Sequence, residues 1–258
     1  MEQEIKDYSI YNSSMKKSMR DKLFFTDKVF GITEVVDFGC ADGALLGELQ
    51  KEDFCAIYIG YDNNDEMIDI ARKNHSNCIF TNTFSGIHES DNSRRLLNLS
   101  SVIHEVYSYS TCQEIENFWE NVFNSGFKYI AIRDFCVSKS INRAADINDY
   151  AKLLKGSSNY GDSWKIKDFE NTWGTLKENK NLVHYLLKYR YEQNWNREVR
   201  ENYFPITYES LLSIIPTSKY RISYHNEYIL PYTYNQIKDD FNIEIKDNTH
   251  IQLLLEKI

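Results

Sequence analysis

The stretch Val35-Val36-Asp37-Phe38-Gly39-Cys40-Ala41-Asp42-Gly43 decides the fold. Residues 34–38 are a short apolar strand, the glycine-bounded run after them is a tight turn, and Ala44-Leu45-Leu46-Gly47-Glu48-Leu49 has helical period. Outward from there, Ala56-Ile57-Tyr58-Ile59-Gly60-Tyr61 predicts a second strand that ends on Asp62. A helix over 65–73 follows, with Asn64 or Asp65 as its N-cap. Further strands are predicted over 78–81, 96–100 and 128–132, and two more near the end of the chain over 220–224 and 250–255. Strands that alternate with helices at this spacing specify an α/β fold with a doubly wound parallel sheet. The last two strands allow an antiparallel pair at one edge, which brings the sheet to about seven strands.

The chain has 258 residues, of which 42% are hydrophobic and 26% charged, a globular composition. Acidic residues outnumber basic ones by 38 to 30, so the net charge of −8 argues against a coat that tracks phosphates. Cys40, Cys55, Cys78, Cys112 and Cys136 form no C-x-x-C pair, so no zinc knuckle or other metal site is expected and the thiols read as buried and free. The opening Met1-Glu2-Gln3-Glu4 lacks the order of a signal peptide, and no apolar run approaches the ~20 residues of a membrane span. A cytoplasmic chain without a membrane partner is therefore expected. Residues 1–30, with Met15, Met19, Leu23 and Phe24 at helical spacing, read as an N-terminal helical lid. Residues 31–258 read as one domain carrying a helical, aromatic-rich insertion at about 135–215.

In an α/β sheet, ligands bind beyond the carboxyl ends of the strands where the strand order reverses, usually at the first strand-to-helix turn. A dinucleotide fingerprint aligned at Gly39 puts Ala41 and Ala44 where the second and third glycines would stand. Asp37 and Asp42 flank the same turn. Two carboxylates repel a pyrophosphate but suit a ligand that carries an ammonium and a sulfonium, which favours S-adenosylmethionine over NAD.

The stretch 35–43 resembles the first motif of class I S-adenosylmethionine-dependent methyltransferases, with Ala41 in place of the middle glycine. Ile59-Gly60-Tyr61-Asp62 followed by Met67-Ile68 resembles the second. The likeness extends to methyltransferase-like proteins of bacteria and their phages and covers roughly residues 31–135 and the last 40, leaving the insertion unexplained. It implies a Rossmann-like sheet of seven strands with an antiparallel edge. It also implies that Asp37 lies near the cofactor amino group and that the backbone of Gly39, Cys40 and Gly43 lines its methionine portion. Asp62 would accept hydrogen bonds from both ribose hydroxyls, with helix capping as its alternative role. Asn63 and Met67 would flank the adenine, and Asn82 and Thr83 would read its amino group. Ser100 and Ser101 end the fourth strand, which in this fold faces the transferred methyl group.

In methyl transfer the sulfonium leaves as a neutral thioether, so the protein need only align the nucleophile and remove its proton. His104, just past the fourth strand, is the candidate base, against the alternative of a packed histidine. Glu105 either orients it or faces solvent. Ser108 breaks the zinc pattern H-E-x-x-H. No proline precedes Pro205, so the N/D-P-P-Y/F signature of methyltransferases acting on DNA bases is absent and DNA is not expected as a partner. Arg133 is a candidate for a substrate anion, or else a structural partner of Asp134 or Glu105. Residues 185–203 are rich in aromatics, with Tyr191, Trp195, Val199 and Tyr203 in one helical stripe. Trp195 is therefore a candidate substrate contact, with a core stripe as the plainer reading. A small-molecule acceptor, methylated on O or N, is the first expectation. RNA, possibly tRNA, is the second, since aromatics interleaved with arginines can stack on bases. A non-catalytic cofactor-binding protein of the same fold is the third.

Overall fold

The computed structural model describes residues 18–55, 57–84, 92–159 and 161–258. Residues 1–17 of the expected lid, Met15 among them, and Ala56 lie outside the described residues. The described chain divides into two compact units. One holds Ser18–Asp134, Ser213–Asn226 and Ile251–Ile258, and the other holds Phe135–Leu212 and Glu227–His250.

The first unit is built on a seven-stranded sheet of order β3-β2-β1-β4-β5-β7-β6. Its strands are β1 (Glu34–Phe38), β2 (Ile57–Tyr61), β3 (Ile79–Thr81), β4 (Arg95–Ser100), β5 (Tyr129–Phe135), β6 (Tyr220–Tyr228) and β7 (His250–Lys257). The five strands from β3 to β5 run parallel. β7 is antiparallel to both of its neighbours: Lys257 N donates to Lys128 O at 2.8 Å and Ile258 N to Lys219 O at 2.9 Å. Seven strands, a Rossmann-like parallel set and an antiparallel edge are the architecture that the sequence predicts. β5 runs on to Phe135 and β6 to Tyr228, past the predicted ends.

The helices of this unit are α1 (Met19–Lys22), α2 (Ala44–Lys51), α3 (Asp65–Asn74), α4 (Ile103–Tyr109) and α5 (Cys112–Asn124). Leu45, Leu46 and Leu49 of α2 join Val35 of β1 and Ile68 of α3 in one core cluster, the consequence of apolar residues at helical spacing beside an apolar strand. Leu23, Phe24, Phe25 and Val29 are buried in the same cluster. β1 pairs with β2 on one side and β4 on the other, so the strand order reverses at β1. That reversal opens a crevice at the carboxyl ends.

The second unit is helical, with α6 (Ile147–Asn159), α7 (Ser163–Trp173), α8 (Asn179–Lys188), α9 (Trp195–Glu198), α10 (Tyr208–Ile214, its last residues in the first unit) and α11 (Pro231–Phe241). The expected continuous helical stripe through Tyr191, Trp195, Val199 and Tyr203 is not there: α8 ends at Lys188 and only the one turn of α9 follows. Trp195, Val199 and Tyr203 are core residues nonetheless, reached through turns. α11 lies between the two tail strands, where the sequence reading assigned no element. Pro231 opens it at a position that tolerates a missing N–H. Its Phe241 ring occupies space that a Cβ on Gly156 of α6 would enter at 2.5 Å, so the two helices pack closely where that glycine stands.

Candidate functional site

The turn after β1 places three residues in the left-handed region, Gly39 (φ 74°), Ala41 (φ 45°) and Gly43 (φ 78°). Glycine adopts this region freely, whereas alanine carries a steric cost there. The amides of Gly39 and Cys40 both donate to Tyr61 O, at 2.8 and 2.9 Å, so the turn is tied to the end of β2. Asp42 Oδ1 accepts the amide of Ala44 at 3.2 Å and so caps the start of α2. The bare faces of the glycines meet protein: a Cβ on Gly39 would lie 2.9 Å from Val102, and one on Gly43 2.7 Å from Phe80.

Beside the turn the sheet carries a polar face, unusual for central strands. Cα register sets Asp37 opposite Asn98, and Ser100 opposite Arg133. Asn98 and Ser100 share a face because side chains alternate along a strand. Asp37 is 3% exposed, and its Oδ1 accepts Asn98 Nδ2 at 2.7 Å. Burial pushes the Asp37 carboxyl up to about 7, against the pull of the Asn98 hydrogen bond and the Lys22 charge, while the charge of Asp62 adds to the rise. Asn98 Oδ1 and Ser100 Oγ are buried with no hydrogen-bond partner among the described residues. Each such atom costs about 1–3 kcal/mol, which a ligand can recover.

Asp62, at the end of β2, uses both oxygens on backbone amides: Oδ2 accepts Ala41 N and Oδ1 accepts Asn64 N, each at 2.9 Å. A carboxylate has about four acceptor positions, so two remain for a diol. The cap of α3 is Asn64, whose Oδ1 accepts the amides of Glu66 and Met67, so helix capping does not account for Asp62. Asn63 is exposed and Met67 half-buried. Asn82 and Thr83 follow β3 on exposed backbone, with Asn82 Nδ2 donating to Asp65 Oδ1 at 2.6 Å.

His104 lies in the first turn of α4, 5% exposed, with Nδ1 2.6 Å from Asp134 Oδ1. Asp134 Oδ2 accepts the amide of Ile103 at 2.6 Å and that of His104 at 3.4 Å. One buried carboxylate thus both caps α4 and fixes the imidazole. The partnership was hidden in the sequence because 30 residues separate the pair, and β5 carries Asp134 two residues beyond the predicted strand end. Ser101, at φ 59°, presents its Oγ to Arg133 at 3.1 Å. Arg133 also donates from Nε to Asp21 at 2.6 Å, while Asp134 holds His104.

Trp195 belongs elsewhere. It is 1% exposed in the core of the helical unit, and its indole donates to Asp168 Oδ2 at 2.7 Å. The basic residues around it are engaged too: Lys188 donates to Glu198 O and Glu201 O at 2.6 and 2.7 Å, Arg190 to Asp240 at 2.6 Å, and Arg197 lies 2.9 Å from Glu201. Trp195, Val199 and Tyr203 thus follow the plainer core reading of this stretch, while Arg200 is exposed. The helical unit does hold a cavity of about 300 Å³ walled by Leu182, Val183, Leu186, Ile243 and Ile245, and none of the sequence-predicted site residues lines it. Cys40, Cys78 and Cys136 are buried free thiols, whereas Cys112 is exposed. No helix among the described residues is long and apolar enough to cross a membrane.

No family model and no curated protein matches the chain. Solved structures do. An S-adenosylmethionine-dependent methyltransferase from Mesorhizobium loti superposes with a TM-score of 0.53 at 11% identity, over 96% of this chain and 100% of that one. The methyltransferase domain of bacterial CtHen1-C gives 0.51 at 9% identity, over 93% and 98%. The fold is that of class I S-adenosylmethionine-dependent methyltransferases. The plantazolicin methyltransferase BamL, solved with a triazolic desmethylPZN analog and SAH, shares it with a TM-score of 0.50 at 11% identity, over 97% of this chain and 88% of that one. In this methyltransferase fold the turn 39–43, Asp62 and the polar face occupy the carboxyl edge at the reversal of strand order.

Two stability measurements check the site's physics. Ala41→Gly should raise stability in urea unfolding by about 0.5–1 kcal/mol, because relief of left-handed strain exceeds the entropy glycine adds to the unfolded chain. A loss of similar size would show that Ala41 is unstrained. For Asp37, the folded protein binds a proton more tightly than the unfolded chain between 3.8 and about 7. Stability should therefore fall as pH rises through that window, and Asp37→Asn should flatten the profile and be more stable than wild type at about pH 8. An unchanged slope would mean that Asp37 is not the group responsible.

Proposed function

We propose that the protein is an S-adenosylmethionine-dependent methyltransferase that acts on an O or N atom of a small-molecule acceptor. The observation that carries this reading is the pair of carboxylates, Asp37 and Asp62, on either side of a left-handed turn at the strand reversal. When bound, S-adenosylmethionine supplies a methyl group activated by its sulfonium. Asp37 would face its ammonium, Asp62 its ribose hydroxyls, and the backbone of Gly39, Cys40 and Gly43 its methionine chain. Asp42, Asn63, Met67, Asn82, Thr83, Ser100 and Ser101 would complete the surround. The orphaned Asn98 Oδ1 and Ser100 Oγ fit a polar ligand at this edge. Arg133, held by Asp21 and Ser101, keeps a substrate-side role through that network. α1 would deliver Asp21 to this edge.

His104 would act as the base. Asp134 would hold its ring through Nδ1 and so orient it for proton removal from the acceptor. A net charge of −8 and the engaged basic residues of 188–197 support a small molecule over RNA.

Calorimetry tests the cofactor half. S-adenosylhomocysteine should bind, Asp62→Ala should weaken it by on the order of 2–4 kcal/mol through loss of two charge-assisted hydrogen bonds, and NAD should give no heat. NAD binding without S-adenosylhomocysteine heat would sink the reading. With tritiated S-adenosylmethionine, label should pass to a small-molecule extract, and His104→Ala should slow this by roughly 10²–10⁴-fold. Label in RNA would reassign the acceptor, and cofactor binding with no transfer to any fraction would favour a non-catalytic protein.

A further inference from the structure

The turn that leads from β4 into α4 is built against its own backbone preference. Ser101 sits in the left-handed region at φ 59°, which a residue with a Cβ enters only at a steric cost. The Cα register of β4 and β5 ends with Ser100 opposite Arg133, and the Ser101 amide then donates to Arg133 O at 2.8 Å. Two residues further on, Ile103 opens α4, with His104 in its first turn. Left-handed residues other than glycine persist where the surrounding contacts hold them. Here those contacts come from two consecutive residues of β5, Arg133 and Asp134.

Consecutive side chains of a strand point to opposite faces, so the two grip the turn from either side of the sheet. On one face, Arg133 Nη1 donates to Ser101 Oγ at 3.1 Å. On the other, Asp134 Oδ2 accepts the Ile103 amide at 2.6 Å, and Oδ1 lies 2.6 Å from His104 Nδ1. Arg133 is buried and is itself held from behind. Its Nε donates to Asp21 Oδ2 at 2.6 Å, and Gln252 Nε2 donates to Asp21 Oδ1 at 2.8 Å and to the Asp21 carbonyl at 2.9 Å. A planar guanidinium serves two acceptors in fixed directions, with a rigidity that a lysine lacks. One line of hydrogen bonds thus runs from β7 through α1 and β5 to the turn that carries His104.

We infer that Asp21, Arg133 and Ser101 are positioning residues: they hold the β4–α4 turn in its left-handed form and so fix where α4 begins and where His104 stands. The consequence for catalysis rests on the reading of His104 as the base, whereas the hold itself does not. A residue that only stabilised the fold would loosen the whole unit alike. Loss of this hold loosens the turn first.

The experiment is amide hydrogen exchange, read by NMR on the full chain without ligand, at Ile103, His104 and Val106. Ser101→Ala loses the Oγ contact but keeps the strain, so these amides should exchange about 10- to 100-fold faster, the range for one charge-assisted bond. Ser101→Gly loses the same contact but adopts the left-handed region freely, so they should stay within about threefold of wild type. Asp21→Ala, which releases the guanidinium, should repeat the Ser101→Ala pattern, with the amides of Leu46 and Leu49 in α2 changed by less than about threefold. In the tritium assay, Asp21→Ala should slow label transfer by roughly 10- to 100-fold through turnover rather than cofactor affinity. Equal exchange in Ser101→Ala and Ser101→Gly overturns the inference, as does wild-type exchange at α4 in Asp21→Ala. Should Asp21→Ala not fold, the two Ser101 variants decide. A wild type that transfers no label brings down the reading of His104 as base, a separate failure, because exchange is read without ligand.

Discussion

Asp37 keeps a carboxylate out of water on the central strand, and much of the first unit is arranged around that cost. Burial raises the Asp37 carboxyl to about 7, and the Asn98 hydrogen bond and the Lys22 charge work against the rise. Asn98 can do so because β1 and β4 are register partners at that level. Lys22 can do so because Asp21 is fastened to β5 and β7. The antiparallel edge strand, remote from the glycine turn in sequence, thereby fixes the charge beside it. A core with valine or leucine at Asp37, Asn98 and Ser100 would be cheaper to fold, so these residues are retained at a cost in stability, as expected where a ligand supplies the missing partners.

The turn itself shows the same division between folding and binding. Gly39 and Gly43 are required twice over, by left-handed backbone and by the side chains of Val102 and Phe80 against their bare faces. Ala41 meets only the first requirement imperfectly. Its amide is spent on Asp62, and that bond links the turn to the residue proposed to hold the ribose. His104 is treated in like manner: the carboxylate that orients its ring also caps the helix on which it sits, so ring and helix cannot move independently.

Much of this was legible in the sequence, and the reasons for what was not are physical. The alternation of apolar runs with helical periods gave the sheet, because both are local patterns. The glycine turn and Asp62 were legible because turn conformation and strand ends leave a local mark. Asn98 was not singled out, and Asp134 only as a partner for Arg133, because their meaning comes from register and from pairings 61 and 30 residues apart. The run 185–203 misled in the opposite direction. Residues four apart suggest one helix face, yet α8 stops at Lys188, where that lysine turns inward to cap the carbonyls of Glu198 and Glu201. The aromatics then pack from turns into the core. α11 escaped notice because a proline reads as a breaker before it reads as a first-turn residue.

The central claim is that the carboxyl edge at the β1 reversal is a binding site shaped for the adenosyl and amino-acid parts of S-adenosylmethionine. A crystal structure of the protein with S-adenosylhomocysteine tests it most directly. The account predicts the ribose on Asp62, the amino-acid end beside Asp37, and the sulfur on the side of the site that His104 faces. Density for the ligand in the helical unit's cavity near Leu182 and Ile243, or the ribose away from Asp62, would contradict it.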